Sequence, residues 1–473
     1  MFPKQEGKKM KKRLVVGLMI STMVASMFAG CGDSKESSSK GGTESAKTEE
    51  SAGDGSVYLL NFKPESDGAW QELASTYKDQ TGVDVTVLTA ADGTYNQTLT
   101  SEMAKDKAPT IYRIGSAQDA STWSDYLYDL KDSALYDHLI DKSLSIEHDG
   151  KVAAVANCYE CYGLIYNKTI LEDYCSKYEG AVIKSVDEIN NFETLKKVAE
   201  DINNNVDKIN EALGTELTEA FASAGLDSGS SWRFSGHLAN MPLFYEFRDD
   251  KVTSQPATVT GKYLDNYKNL WDLYINNATV APTTLATKTG DDAVAEFVNK
   301  QAAFYQNGTW AYGDVAALGD DNIGMLPIYI GVEGEEKQGL CTGTENYWCV
   351  NAKADEKDIK ATLDFMKWCV TDEVAVKAMC GTEKAMPSGE AGMGFVIPFK
   401  SCLESTNVLV NQANKYVKDG KVSVSWNFPT MPSEEWKNGV GSALTTYAAD
   451  STDANWDLVV KAFVDGWKTE AAK

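Results

Sequence analysis

The sequence predicts an α/β fold of two lobes, each a mostly parallel sheet flanked by helices. Strand-like and helical patterns alternate between residues 57 and 115, and the pattern is largely helical beyond residue 170. The chain, at 473 residues, is also longer than one ordinary domain, so two lobes are expected.

The elements follow in order. VYLLNF (57–62) has the composition of a buried strand, and Trp70, Leu73 and Tyr77 then repeat at helical spacing up to Gly82. VDVTVLT (83–89) reads as a second strand, Tyr95, Leu99 and Met103 as a second helix ending before Pro109, and TIYRIG (110–115) as a third strand. Strand, helix, strand, helix, strand implies a parallel, doubly wound sheet. Ligands of such sheets bind beyond the carboxyl ends of the strands, which points to Lys63 and Glu65 after the first strand and Ser116 and Gln118 after the third. Helical patterns recur at 193–203, 263–274, 293–301 and 457–467. Trp70, Trp271, Trp368, Trp456 and Trp467 lie in helical patterns and are assigned to the core. The chain has no internal repeat, P-loop or calcium-loop pattern.

Residues 1–30 have the form of a signal peptide: Lys4, Lys8, Lys9, Lys11, Lys12 and Arg13 precede an uncharged run from Leu14 to Phe28. That run is shorter than the roughly 20 residues of a spanning helix. Ala29-Gly30-Cys31 has the form of a lipobox, with Phe28 where a leucine is usual, and Cys31 is the expected lipidation site. MKKRLVVGL, from Met10, is also a complete start. Residues 31–55 are almost all small or polar and read as a disordered tether.

The chain carries 45 basic and 69 acidic residues, net −24. That balance excludes a nucleic-acid partner. Eight cysteines follow Cys31 at irregular spacing, and a chain this long buries a core without staples, so mostly buried free thiols are expected. Histidine occurs only as His138, His148 and His237, too few for a histidine metal cage. No metal and no cofactor is called for.

The lipobox, the tether and the β-α-β-α-β start are followed by YGLIYNK (162–168), NGTWAYGD (307–314), IGMLPIYIG (323–331) and WCVNAKA (348–354). In this order they resemble the extracellular solute-binding proteins (family 1) of bacterial ABC importers, in particular carbohydrate binders similar to maltose-binding protein. The resemblance implies a type II periplasmic-binding-protein-like fold, with two lobes joined by three hinge crossings and ligand held in the cleft. Residues 56–160 with 347–392 would form the amino-terminal lobe, and 165–341 with 398–473 the other. It also implies a lipid-anchored monomer on the outer face of a bacterial, Gram-positive-type membrane, which closes on a sugar and presents it to permease subunits.

The same resemblance assigns candidate ligand contacts. Glu160 matches an acidic position that binds sugar hydroxyls, Trp310 a tryptophan that stacks on a ring, and Trp436 a stacking residue at a helix start. Trp232 and the adjacent Arg233 follow a small-residue loop suited to a cleft edge, although Trp232 could equally anchor the loop. Glu345 and Asn346, with Thr344, precede a second crossing and could contact ligand or serve the hinge. Ser116 and Gln118 stand where the family commonly has an acid and an arginine, so maltose specificity does not transfer. Aromatic faces and charged hydrogen-bonding groups are what a sugar needs, and 11 Trp and 22 Tyr supply the first.

Cys158 and Cys161 form a C-x-x-C around Glu160. Residues three apart on a strand point to opposite faces, which argues against a shared metal. A surface glycoside hydrolase would also use aromatics and paired carboxylates, but no defined acid pair is legible. An acidic cleft with aromatic walls would suit a polyamine, and that alternative stays open.

Overall fold

A computed structural model describes residues 55–91 and 93–473; the expected signal peptide, Cys31 and the tether up to residue 54 lie outside the described residues. Twelve strands form two sheets among the described residues: β1 (Ser56–Asn61), β2 (Asp84–Thr89), β3 (Ile111–Ile114), β4 (Ser145–His148), β5 (Lys151–Ala156), β6 (Glu160–Asn167), β7 (Glu219–Phe221), β8 (Ala302–Gly308), β9 (Ile323–Leu326), β10 (Gln338–Gly343), β11 (Tyr347–Val350) and β12 (Val422–Ser425).

The first sheet runs β2-β1-β3-β11-β5-β4. β1 pairs in parallel with β2 and with β3, as the helical crossovers Asp67–Thr81 and Tyr95–Met103 require. The first of these helices stops where the chain turns left-handed at Gly82, φ 79°. The pairs β3–β11, β11–β5 and β5–β4 are antiparallel, so the sheet is mixed rather than mostly parallel. β4 and β5 are a hairpin whose Asp149 and Gly150 have φ of 50° and 78°, the left-handed pair of a type I′ turn. β11 reaches β3 directly from the second sheet, with no helical crossover to set its direction.

Both faces of this sheet are covered. Along β11, Trp348 and Val350 pack with Trp70, Leu73 and Phe365 on one side, whereas Tyr347 and Cys349 pack with Tyr95, Leu99 and Tyr112 on the other. This is the period-two alternation of a strand buried on both faces.

The second sheet runs β12-β10-β6-β8-β7, with β9 also on β6. β10–β12 and β7–β8 are parallel, and the pairs made by β6 are antiparallel. A large apolar core on one face gathers the helices Phe192–Leu213, Leu264–Asn276, Glu434–Ala449 and Asp453–Glu470. Trp271, Trp456 and Trp467 lie in it, Trp70 in the first-sheet core, and Trp368 is half-buried against that core.

Connecting segments between the sheets lie side by side. The chain leaves β5 at Ala156 and enters β6 at Glu160, and it leaves β10 at Gly343 and enters β11 at Tyr347. Asn157 N donates to Asn346 O at 3.0 Å, and Tyr159 N to Val396 O at 2.7 Å. Cys158 therefore packs in the first-sheet core and Cys161 in a core of the second sheet. All eight cysteines of the described residues carry free thiols, and six are buried.

Candidate ligand-binding site

The order β2-β1-β3 places the strand-order reversal at β1 and β3, whose carboxyl ends open onto a cavity of about 210 Å³. A water needs roughly 10–15 Å³ of such space, so the cavity has room for a molecule the size of about 14–21 waters. From the first-sheet side it is lined by Phe62, Lys63 and Glu65 after β1, by Tyr95 and its neighbours, and by Arg113 of β3. From the second-sheet side come Trp232, His237, Trp310, Phe428 and, from the start of helix Glu434–Ala449, Glu434, Glu435 and Lys437. Glu160 and Glu345, from the connecting segments, complete the wall.

Two buried ion-pair groups organise the charge. Lys63 Nζ lies 2.8 Å from Glu160 Oε1 and 2.9 Å from Glu65 Oε1, while Asn346 Nδ2 donates to Glu160 Oε2 at 3.0 Å. Glu345 Oε2 is 3.0 Å from Arg113 Nη2 and 3.5 Å from Lys437 Nζ, and Lys437 also reaches Glu434 at 2.7 Å. Burial by itself would raise the Glu345 pKa, but Lys437 and Arg113 bring it down to about 2. Burial likewise disfavours the Lys63 ammonium, yet Glu160 and Glu65 outweigh it and the pKa is raised. Glu160 is raised by burial, with Lys63 acting against the shift. Buried charges cost several kcal/mol each unless paired, and such pairs gathered in a cleft are more informative about function than about stability.

Aromatic rings form the opposite wall. Trp232 and Trp310 have ring centroids 6.0 Å apart, and His237 lies 5.0 Å from Trp232, 5.2 Å from Trp310 and 4.8 Å from Phe428. Burial holds the His237 pKa down to about 4, so this imidazole is neutral at pH 7. The Arg113 guanidinium sits 4.0 Å over the Phe62 ring, and its Nε has no hydrogen-bond partner among the described residues.

The structure thus brings Lys63, Glu65, Glu160, Trp232, Trp310 and Glu345 to one cavity. Other expected contacts are corrected. Trp436 is 1 % exposed: its Nε1 donates to Phe463 O at 2.9 Å and its ring packs on Phe463 and Trp467. It opens the right helix but faces the core, leaving Lys437 on the cavity side. Arg233 is buried elsewhere, donating to Tyr305 Oη at 3.2 Å and Ala224 O at 3.3 Å. Ser116 caps helix Ala117–Thr122 by accepting from Asp119 N, and Gln118 on that helix is not a wall residue. Asn346 stands behind Glu160 and orients it. Sequence reasoning left Arg113, Lys437, His237 and Phe428 out of the site. For Arg113 a signal existed: it is a lone charge inside the buried strand TIYRIG.

The match to a family model described as bacterial extracellular solute-binding protein spans residues 72–390. The chain belongs to that family. Solute-binding proteins of known structure share the fold at low identity. The GacH receptor of Streptomyces glaucescens, solved unliganded and with acarbose, is 18 % identical with a TM-score of 0.61 over 89 % of this chain and 99 % of that one. A sugar transporter protein from Bacillus licheniformis, solved with stachyose, is 16 % identical with a TM-score of 0.61 over 88 % and 100 %. A mannobiose-bound protein of an ABC transporter from Bifidobacterium animalis subsp. lactis is 16 % identical with a TM-score of 0.60 over 88 % and 94 %. Comparison with curated protein sequences gave no match. This solute-binding protein is a binder that works outside the cytoplasm, not an enzyme.

Proposed function

We propose that this solute-binding protein captures an oligosaccharide and hands it to the permease subunits of an ABC importer. The observation that carries the reading is the joining of the Trp232–Trp310 aromatic wall to Glu160, Glu345 and Arg113 around one cavity. Rings stack on the C–H faces of a sugar, and the charged groups take its hydroxyls. Each aromatic pair is worth about 0.5–1.5 kcal/mol beyond burial, and each charge-assisted hydrogen bond about 1.5–3 kcal/mol. A few of each give micromolar affinity, roughly −8 kcal/mol. The sugars in the similar structures, acarbose, stachyose and mannobiose, support this ligand class.

In this reading the two sheets are the centres of lobes 56–160 with 347–392 and 165–341 with 398–473, and the segments around Asn157, Asn346 and Val396 are the hinge. Ligand favours the closed form because there Lys63 and Arg113 on one side and Trp232 and Trp310 on the other touch it together. Lipidation at Cys31 would hold the protein, as a monomer on its tether, at the outer membrane face. The carboxylates of the wall outnumber its cations, which favours a polyamine as the second reading. Titration calorimetry with neutral oligosaccharides and with spermidine separates the two. A saturable one-to-one heat with a sugar supports the proposal; heat with spermidine alone replaces it.

A further inference from the structure

Cys380 ends the helix Glu373–Cys380, and Cys402 lies in the segment that follows the β-bridge at Val396. Both belong to the apolar core of the first sheet, Cys380 fully buried and Cys402 half-buried. Their thiols interact directly, and both sulfurs lie against the backbone of Ile397; Cys380 also meets the backbone of Leu403, to whose carbonyl Cys402 Sγ donates at 3.4 Å. The chain between them doubles back. Phe395 N donates to Met379 O and Gly394 N to Gly381 O, while Thr382 and Thr406 join hydroxyls at 2.7 Å.

We propose that Cys380 and Cys402 are the site of a disulfide that closes the loop 381–401, the connection that carries Val396 past Tyr159. Of the other six thiols, Cys175 is half-buried and Cys158, Cys161, Cys341, Cys349 and Cys369 are buried, with Cys161 and Cys341 on the paired strands β6 and β10. Cys402 is the reachable partner, and its contact with the Cys380 thiol lowers its pKa. A lowered thiol pKa raises the fraction present as the attacking thiolate. The oxidant is a small disulfide from the surroundings. Cys402 thiolate attacks one of its sulfurs, expelling one small thiolate and leaving a mixed disulfide. The Cys380 thiol then loses its proton and attacks the Cys402 sulfur, expelling the second. One small disulfide is reduced to two thiols as the pair is oxidised, and the bond pins the connecting loop to the first lobe.

The test incubates the full chain with oxidised glutathione, blocks residual thiols and maps peptides by mass spectrometry. The expected result is a cross-linked peptide joining Cys380 to Cys402, loss of two hydrogens in intact mass, and a melting midpoint higher by about 2–5 °C than in the reduced protein. In Cys402→Ser the cross-link and the rise both disappear. A stable glutathione adduct on Cys402, a cross-link between any other pair, or this pair still reduced after incubation would overturn the proposal.

Discussion

Asn346 and Glu160 are joined across the two adjacent connecting segments, Asn346 Nδ2 donating to Oε2 at 3.0 Å while Lys63 holds Oε1 at 2.8 Å. The carboxylate is thereby fixed by residues from both segments and from the loop after β1. Its orientation is a product of the assembled fold.

Glu160→Gln is expected to weaken sugar affinity at least several-fold, because a charge-assisted bond worth about 1.5–3 kcal/mol becomes a neutral one. Cys158→Ser combined with Cys161→Ser should leave affinity nearly unchanged, since those thiols point into two separate cores. Calorimetric titration of both variants checks this; the reverse pattern would show that the cysteines matter and the acid does not.

Arg113→Met leaves Glu345 with Lys437 as its close cation and removes the unpartnered Nε from the wall. Breaking a buried pair costs about 3–5 kcal/mol, so urea unfolding should move to lower denaturant. The folded fraction should bind sugar about tenfold or more weakly, which equals roughly 1.4 kcal/mol. Unchanged affinity would place Arg113 in a purely structural role.

Trp310→Ala and Trp436→Ala should separate binding from stability. Trp310 is a half-buried wall residue, so its loss should weaken binding with a modest change in melting. Trp436 holds the helices Glu434–Ala449 and Asp453–Glu470 together, and its loss should cost about 3–5 kcal/mol of stability. Paired calorimetry and thermal melts read both effects. Equal losses of affinity at equal stability would return Trp436 to the site.

Acid should destabilise the protein in two steps. His237 has its pKa lowered by burial from 6.5 to about 4, so between those values the unfolded chain binds more protons and stability falls as pH falls. Glu345 is lowered from 4.5 to about 2 by Lys437 and Arg113 against the effect of burial, so its contribution is present above pH 4.5 and lost as pH falls through about 2. Each step is on the order of 3 kcal/mol. His237→Gln should flatten the upper step alone in melts taken from pH 7 to pH 4; an unchanged slope would sink the assignment.

The sequence by itself determined the β-α-β-α-β start, because strand and helix periods are local and Gly82 and Pro109 punctuate them. From that start it also determined that Lys63 and Glu65 stand at the carboxyl end of a strand, where a cavity opens, and the ordered motifs after residue 160 pointed to the family. Only the tertiary structure decided the rest. Which strands run antiparallel depends on how the chain returns from the other sheet, as β11 does. Whether Trp436 or Lys437 faces the cavity depends on the rotation of one helix against Trp467, and one residue along a helix turns a side chain by about 100°. Arg113 meets Glu345, and Asn346 meets Glu160, only when segments far apart in the chain are brought together, and no local pattern encodes that meeting.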